Sequence, residues 1–234
     1  VNIMTFVFFH ISSEPETEDS QPSLMVRSIR RHYPKINIIQ VTDKTTHAVK
    51  EVSSVFRAEG NREEIMAFRT NAFSELRLKE KAIYLDTDML ILKKFNIDNF
   101  FKQSEVALLK RDFMKDSFVN INFRGMDLSY LKGKTVGEVW PYIGCFGATT
   151  SYEFWSHCSL YLNKLDRQSR CWFGDQDAIR EIAKSSYFKI TEVSEKEFAC
   201  PPKFIEQDKT PFIIHFKGPH NKSLMFSMAK RLGL

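Results

Sequence analysis

The stretch Ala82-Ile83-Tyr84-Leu85-Asp86-Thr87-Asp88-Met89-Leu90-Ile91-Leu92 decides how this chain is read. Ala82–Leu85 is a short apolar run of the kind found in strands buried on both faces, and Leu90–Leu92 is a second strand-like run. Two carboxylates, one residue apart, stand between them. Ionised groups in an apolar frame are costly unless something positive compensates them. A divalent cation does so through oxygen ligands and keeps positions open for phosphate oxygens. A turn rich in Asp is the plainer alternative, but the dense apolar frame on both sides favours a metal site.

Working outward towards the N-terminus, Ile65, Phe68, Ala72, Phe73 and Leu76 recur on one helical face, and Asn61 with Glu64 is spaced as a capping box. Ile36–Val41 predicts a buried strand that ends in Thr42-Asp43. Leu24, Met25, Ile29 and Tyr33 predict a helix closed by Pro34, Ser12–Ser20 reads as a polar loop, and Ile3–Phe9 predicts a first buried strand. Towards the C-terminus, Val106–Leu109 and Tyr142–Ala148 predict strands on either side of a polar, irregular stretch over 111–138. A stretch that long inside a compact domain usually carries function. Thr150 and Glu153 are spaced to cap a helix bearing Trp155, Cys158, Leu162 and Leu165. Another helix starts near Asp175, with Ala178, Ile179 and Ile182 inward. Phe212–Ile214 is a last buried strand that delivers His215, and Asn221–Leu232 closes as a basic amphipathic helix. Strands alternating with helices predict an α/β fold with a mixed, mostly parallel central sheet flanked by helices, and such sheets bind ligands beyond the carboxyl ends of their strands. Thr42-Asp43, Asp86-Thr87-Asp88 and His215 each follow a predicted strand. No internal repeat or domain boundary is visible, so 1–234 reads as one domain.

The composition agrees. The 234 residues are 43% hydrophobic with 21 Phe, enough for a full core, and only 9 Gly and 8 Pro argue against low-complexity disorder. A formal net charge of +5 is a mild excess that suits an anionic ligand or an anionic membrane surface, and no nucleic-acid partner is expected. Cys145, Cys158, Cys171 and Cys200 are widely spaced, match no zinc pattern, and read as reduced packing residues of a cytoplasmic protein. No apolar run approaches the length of a membrane span. Val1 is not an initiating residue, as expected of a fragment or a processed chain.

Three further groups carry chemistry. His215 ends a buried strand in Pro211-Phe212-Ile213-Ile214-His215-Phe216-Lys217-Gly218. Alone it would read as a satisfied core histidine. Gly218 permits close backbone approach, and Lys217, His220 and Lys222 add donors, so the set reads as a metal ligand followed by a diphosphate cradle. Asp175-Gln176-Asp177 opens a helix; Asp175 could serve as an N-cap, yet three consecutive polar side chains exceed what a cap requires. Arg69 lies among Phe68, Ala72 and Phe73, where its charge needs a partner: an internal carboxylate, a donor phosphate or a ligating aspartate.

Phe68-Arg69, Tyr84-Leu85-Asp86-Thr87-Asp88, Asp175-Gln176-Asp177, and His215-Phe216-Lys217-Gly218 with Lys222 occur in the order seen in glycosyltransferase family 8. The chain resembles that retaining GT-A group, which includes glycogenin and bacterial lipopolysaccharide galactosyl- and glucosyltransferases. The likeness spans nearly the whole chain. It implies a GT-A (Rossmann-like) fold with a nucleotide-binding half over about 1–110 and an acceptor-side half over about 111–234. It implies Mn²⁺ (or Mg²⁺) held by Asp86, Asp88 and His215 on the diphosphate of a UDP-sugar, galactose or glucose being favoured. Thr87, Lys217, Gly218 and Lys222 would then lie at the donor, Arg69 would orient it or the Asp motif, and Phe8 and His10 would lie near the base. Asp175 and Gln176, with Asp177, would face the sugar and the reacting centre, and the acceptor would be a glycan or a glycolipid.

Two departures touch the sugar and acceptor side. Tyr142-Ile143-Gly144-Cys145-Phe146 lacks the family's usual Asn, and the customary C-terminal Lys-Pro-Trp is reduced to Lys222-Ser223-Leu224. The alternative is a non-catalytic domain that binds a nucleotide-sugar. A haloacid-dehalogenase phosphatase fits poorly, because its D-x-D lies near the N-terminus and is followed by Thr or Val where this chain has Leu90. The final helix, with Leu224, Met225, Met228 and Leu232 along one side and Lys222, Lys230 and Arg231 near its ends, carries a further expectation of peripheral contact with an anionic membrane.

Overall fold

A computed structural model describes residues 4–234; Ile3 of the predicted first strand lies outside them. Strands β1 (Met4–Phe9), β2 (Asn37–Thr42), β3 (Ser54–Arg57) and β4 (Lys81–Leu85) pair in parallel. The short β5 (Met89–Ile91) follows the Asp motif. Then come β6 (Val106–Lys110), β7 (Tyr142–Thr149) and β8 (Ile190–Ser194), which complete a seven-stranded sheet in the order β3-β2-β1-β4-β7-β6-β8. β7 runs antiparallel to both of its neighbours and β8 is parallel to β6. The sheet is therefore mixed but mostly parallel. β9 (Ile213–His215) pairs with β5 as a two-stranded antiparallel ribbon.

Alternation along the strands sorts side chains into two cores. Phe6, Phe8, Ile83 and Leu85 face α1 (Gln21–His32), the β5–β9 ribbon and α8 (Pro219–Leu232). Val7, Ala82, Tyr84 and Leu108 face α2 (Ile65–Glu75), α4 (Glu153–Leu162) and α6 (Gly174–Lys184). The result is three layers with the sheet in the middle. The short helices α3 (Val136–Val139), α5 (Arg167–Cys171) and α7 (Glu195–Phe198) lie in the second half of the chain. The stretch over 111–138 is not featureless: Val119, Met126, Leu128 and Leu131 bury with Val139 and Trp140 in a satellite core of their own.

Several local expectations need correction. Neither predicted capping box forms. The Asn61 side chain accepts from Glu63 N at 3.0 Å and makes a turn ahead of α2, whose N-cap is Glu64. Thr150 N is taken by Glu105 O at 2.9 Å, which leaves Ser151 Oγ to meet Glu153 N at 3.4 Å. The side chains of α1 and α3 do cap, through Ser20 and the Thr135–Glu138 box. The strands β3 and β8 were not anticipated; both are sheet edges with few buried positions, so they lack an apolar run. In α8, Met225 and Ala229 are buried against the domain, and Leu224 and Phe226 are exposed. Among the described residues no helix is long and apolar enough to cross a membrane.

Candidate active site

One edge of the main sheet collects the chemistry. The parallel strands β1, β2, β4, β6 and β8 end there with Phe9, Thr42, Leu85, Lys110 and Ser194, and the antiparallel β7 starts there. His10, Asp43, Asp86, Arg111, Gly144 and Glu195 follow from those ends. Backbone bonds seat the Asp motif: Asp86 N donates to Cys145 O at 2.9 Å, and Phe216 N donates to Asp88 O at 2.8 Å. The ribbon places Met89 opposite His215, so β9 carries the histidine to the turn that holds the two aspartates.

Asp86, Asp88 and His215 each offer a ligand atom, and these atoms lie within 4.8 Å of one another. His215 Nε2 stands 3.3 Å from Asp88 Oδ1, and its ring also hydrogen-bonds the Cys145 sulfur. Burial opposes charging of His215, but Cys145 and Asp88 override it and raise its pKa well above the ordinary value. Burial would likewise raise Asp88, yet the His215 hydrogen bond and the fields of His215 and Lys222 bring it below the ordinary carboxylate value. Burial raises Asp86 despite the adjacent Arg69. Two carboxylates and an imidazole are a donor set that could hold a metal ion.

Arg69 joins this cluster to α6. Its guanidinium donates to Asp86 Oδ1 at 2.7 Å and to Asp175 Oδ2 at 2.5 Å. Of the partners considered for Arg69, both an internal carboxylate and an aspartate of the motif are present. Gly144 makes room for the bridge, because a Cβ there would meet Asp175 Oδ2 at 2.2 Å and the second Arg69 nitrogen at 3.1 Å. Asp175 is 4% exposed, and its other oxygen is buried with no hydrogen-bond partner. Asp175 is not the N-cap of α6; that position belongs to Phe173, held at φ 60° and stacked on Trp140 at 4.3 Å.

The neighbours of Asp175 point elsewhere. Gln176 Oε1 accepts from Arg111 at 2.7 Å, and Arg111 also donates to Trp140 O at 2.9 Å. Asp177 accepts from Trp140 Nε1 at 3.2 Å and pairs with Arg180 at 3.0 Å. Burial raises Asp177 from 3.8 to about 6, against the opposing pull of Arg180 and Trp140. Asp175 and Asp177 are two residues apart on a helix, about 200° around its axis, so they face opposite ways. The structure thus gathers Arg69, Asp86, Asp88, Asp175 and His215, and turns Asp177 aside.

The remaining predicted residues are spread around this centre. Thr87 is half-buried inside the motif. Lys217 is exposed and acts on Cys145 and Glu195, while the field of Lys222 reaches Asp88. Gly218 has φ 88° and ψ 159°, a region essentially reserved for glycine, and it caps α8. His10 lies at the same edge, its ring bonded to Glu16. The Phe8 side chain is 1% exposed inside the core, which removes it from contact with a base. Asp43 accepts from Thr45 N, Thr46 N and Arg62; burial would raise it, but these bonds hold it at about 2. Sequence reasoning gave no individual role to Arg111, Gly144, Cys145 or Trp140. The one signal for Arg111 is its place just past the apolar run Val106–Leu109, as a cation at a strand's carboxyl end.

All four cysteines are free. No protein-family model matches the chain, and no curated protein matches it.

Proposed function

We propose that this chain is a metal-dependent glycosyltransferase of GT-A type, similar to family 8, that moves a hexose from a UDP-sugar to an acceptor hydroxyl with retention of configuration. The observation that carries this reading is the meeting of Asp86, Asp88 and His215 beyond the carboxyl end of β4, with Arg69 tying Asp86 to Asp175. Asp86, Asp88 and His215 would hold Mn²⁺ or Mg²⁺. When bound, such an ion neutralises charge on the diphosphate leaving group, the largest electrostatic task in breaking a sugar–phosphate bond.

The protein's own groups divide the remaining work. Lys222, whose charge already reaches Asp88, and Lys217 offer donors to phosphate oxygens. Gly218 lets the backbone approach closely, and α8 starts just beyond it with its N-terminal amides. Arg69 fixes the orientation of Asp86 and Asp175. Asp175, tied to Asp86 through Arg69, would lie on the sugar side of the centre. Arg111 occupies the Gln176 carbonyl oxygen, which leaves the amide N–H₂ as the group Gln176 presents. The acceptor hydroxyl belongs to a glycan or a glycolipid.

Calorimetric titration of UDP, with Mn²⁺ and with EDTA, tests the reading. Binding is expected only with metal and is expected to vanish in Asp88→Ala. Binding that ignores both the chelator and the substitution would refute the assigned role of the aspartates, and absence of binding in every condition would refute the donor site.

A further inference from the structure

Asp177, which points away from the metal cluster, lies in a separate groove. A cavity of about 550 Å³ runs over the outer face of α6, with Tyr130 and Trp140 on one wall and Tyr161 and Asp166 on the other. A smaller cleft lined by Met126, Leu128, Gln168 and Phe173 shares Tyr130, Trp140, Asp166, Ser169 and Asp177 with it, so the two adjoin. We propose that this groove binds a neutral oligosaccharide.

Shape, charge and aromatic content all point the same way. Two adjoining clefts suit a chain of rings better than a single small molecule. The three cations Lys134, Arg180 and Lys184 face four acids, Glu138, Asp166, Asp177 and Glu181; Arg180 pairs with Asp177 and Glu181, and Lys184 with Glu181, so little net charge is left to select an ion. Its carboxylates, guanidinium, phenols and the Ser169 hydroxyl supply acceptors and donors close together, as a hydroxyl-rich ligand requires. A pyranose also has an apolar C–H face. The Tyr130 ring is 70% exposed over the groove and offers a surface for such a face. The floor is set: Asp177 is fixed by Trp140 Nε1 and by Arg180, and Arg180 is held in turn by Val139 O at 2.6 Å. Asp175 and the metal ligands lie on the other side of α6, so the groove is distinct from the proposed transfer site and does not rest on that reading.

The test follows the Trp140 indole N–H in ¹H–¹⁵N spectra while maltotriose, lactose and triacetylchitotriose are titrated separately into the full chain, without metal or nucleotide. At least one sugar is expected to shift this resonance in a saturable way. Tyr130→Ala, a substitution at an exposed position that leaves the fold intact, is expected to weaken that sugar about tenfold or more. No shift with any of the three sugars overturns the proposal. So does equal affinity in Tyr130→Ala, or a shift produced only by extended acidic or basic peptides. Because nucleotide and metal are absent, failure here leaves the transfer reaction untouched, and a failed UDP titration leaves the groove untouched.

Discussion

Replacing Gly144 by Ala tests the architecture of the charge cluster with a single methyl group. The added carbon would sit 2.2 Å from Asp175 Oδ2, 3.3 Å from its Cγ and 3.1 Å from the Arg69 guanidinium. Asp175 starts an inward helix face and Arg69 is locked between two carboxylates, so neither is the free end of a flexible chain. Relief requires Asp175 to leave Arg69 or β7 to move away from α6. Overpacking a tight interior costs about 1–3 kcal/mol, and breaking a buried ion pair costs about 3–5 kcal/mol. A loss of about 3 kcal/mol is therefore expected, or roughly 6–12 °C in Tm for a chain of this size. Urea unfolding followed by tryptophan fluorescence measures it. In an Asp175→Ala background the obstructing carboxylate is gone, and Gly144→Ala should cost far less, with a coupling of at least about 1 kcal/mol between the two sites. If Gly144→Ala is as stable as the parent, or if the two losses simply add, the Gly144–Asp175–Arg69 packing described above is wrong.

Two other perturbations read the same region. Arg69→Lys keeps the charge but cannot serve Asp86 and Asp175 with two separate nitrogens, so it should cost at least about 2 kcal/mol in urea unfolding and weaken metal-dependent UDP binding; full stability would argue against the bridging role. Asp177 is raised by burial from 3.8 to about 6, so the folded chain binds that proton more tightly than the unfolded chain does. The stability this proton contributes is present below about pH 4 and is lost as the pH rises towards 6, an effect of about 3 kcal/mol at most. Asp177→Asn should abolish that part of the pH dependence, so its stability relative to the parent improves between pH 4 and 6 and is constant above; parallel curves for the two proteins would refute the shift.

The parts of the fold that were legible in the sequence are those in which burial dictates composition. β1, β2, β4, β6, β7 and β9 are buried nearly throughout and appear as apolar runs; α1 and α6 have one inward stripe each and appear as helical periodicity. β3 and β8 escaped because an edge strand buries little. The two capping boxes failed because a spacing of Asn or Thr to Glu fixes only a local option, while the competing partners came from elsewhere: Glu105 for Thr150, and a turn inside Asn61–Glu64. In the site, the sequence order placed Asp86, Asp88 and His215 but could not show that Asp175 shares Arg69 with Asp86. That bridge depends on the crossing of α2, β4 and α6, and on one glycine in β7 that carries no chemistry of its own. Phe8 was misread for a related reason: it lies near the functional end of β1, but the alternation of the strand turns it into the core.

That dependence bears on what the cluster is for. A core that needed only stability could replace Arg69, Asp86 and Asp175 with apolar groups of similar size, which in buried ion-pair networks is often neutral or favourable. Here a seven-stranded sheet, an added two-stranded ribbon and a helix all deliver carboxylates or their partners to one small volume, and the acids exceed the permanent cation: Asp86, Asp88 and Asp175 face Arg69 alone, with the exposed Lys222 acting on Asp88 from the rim. Cys145 and Asp88 favour the charged form of His215 against its burial. A group that brings two carboxylates and an imidazole within reach of one another, half-buried at the motif and beyond the ends of the strands, could hold a metal ion. Stability alone gives no reason for the imbalance; on the proposed reading, a diphosphate bound through a divalent ion would.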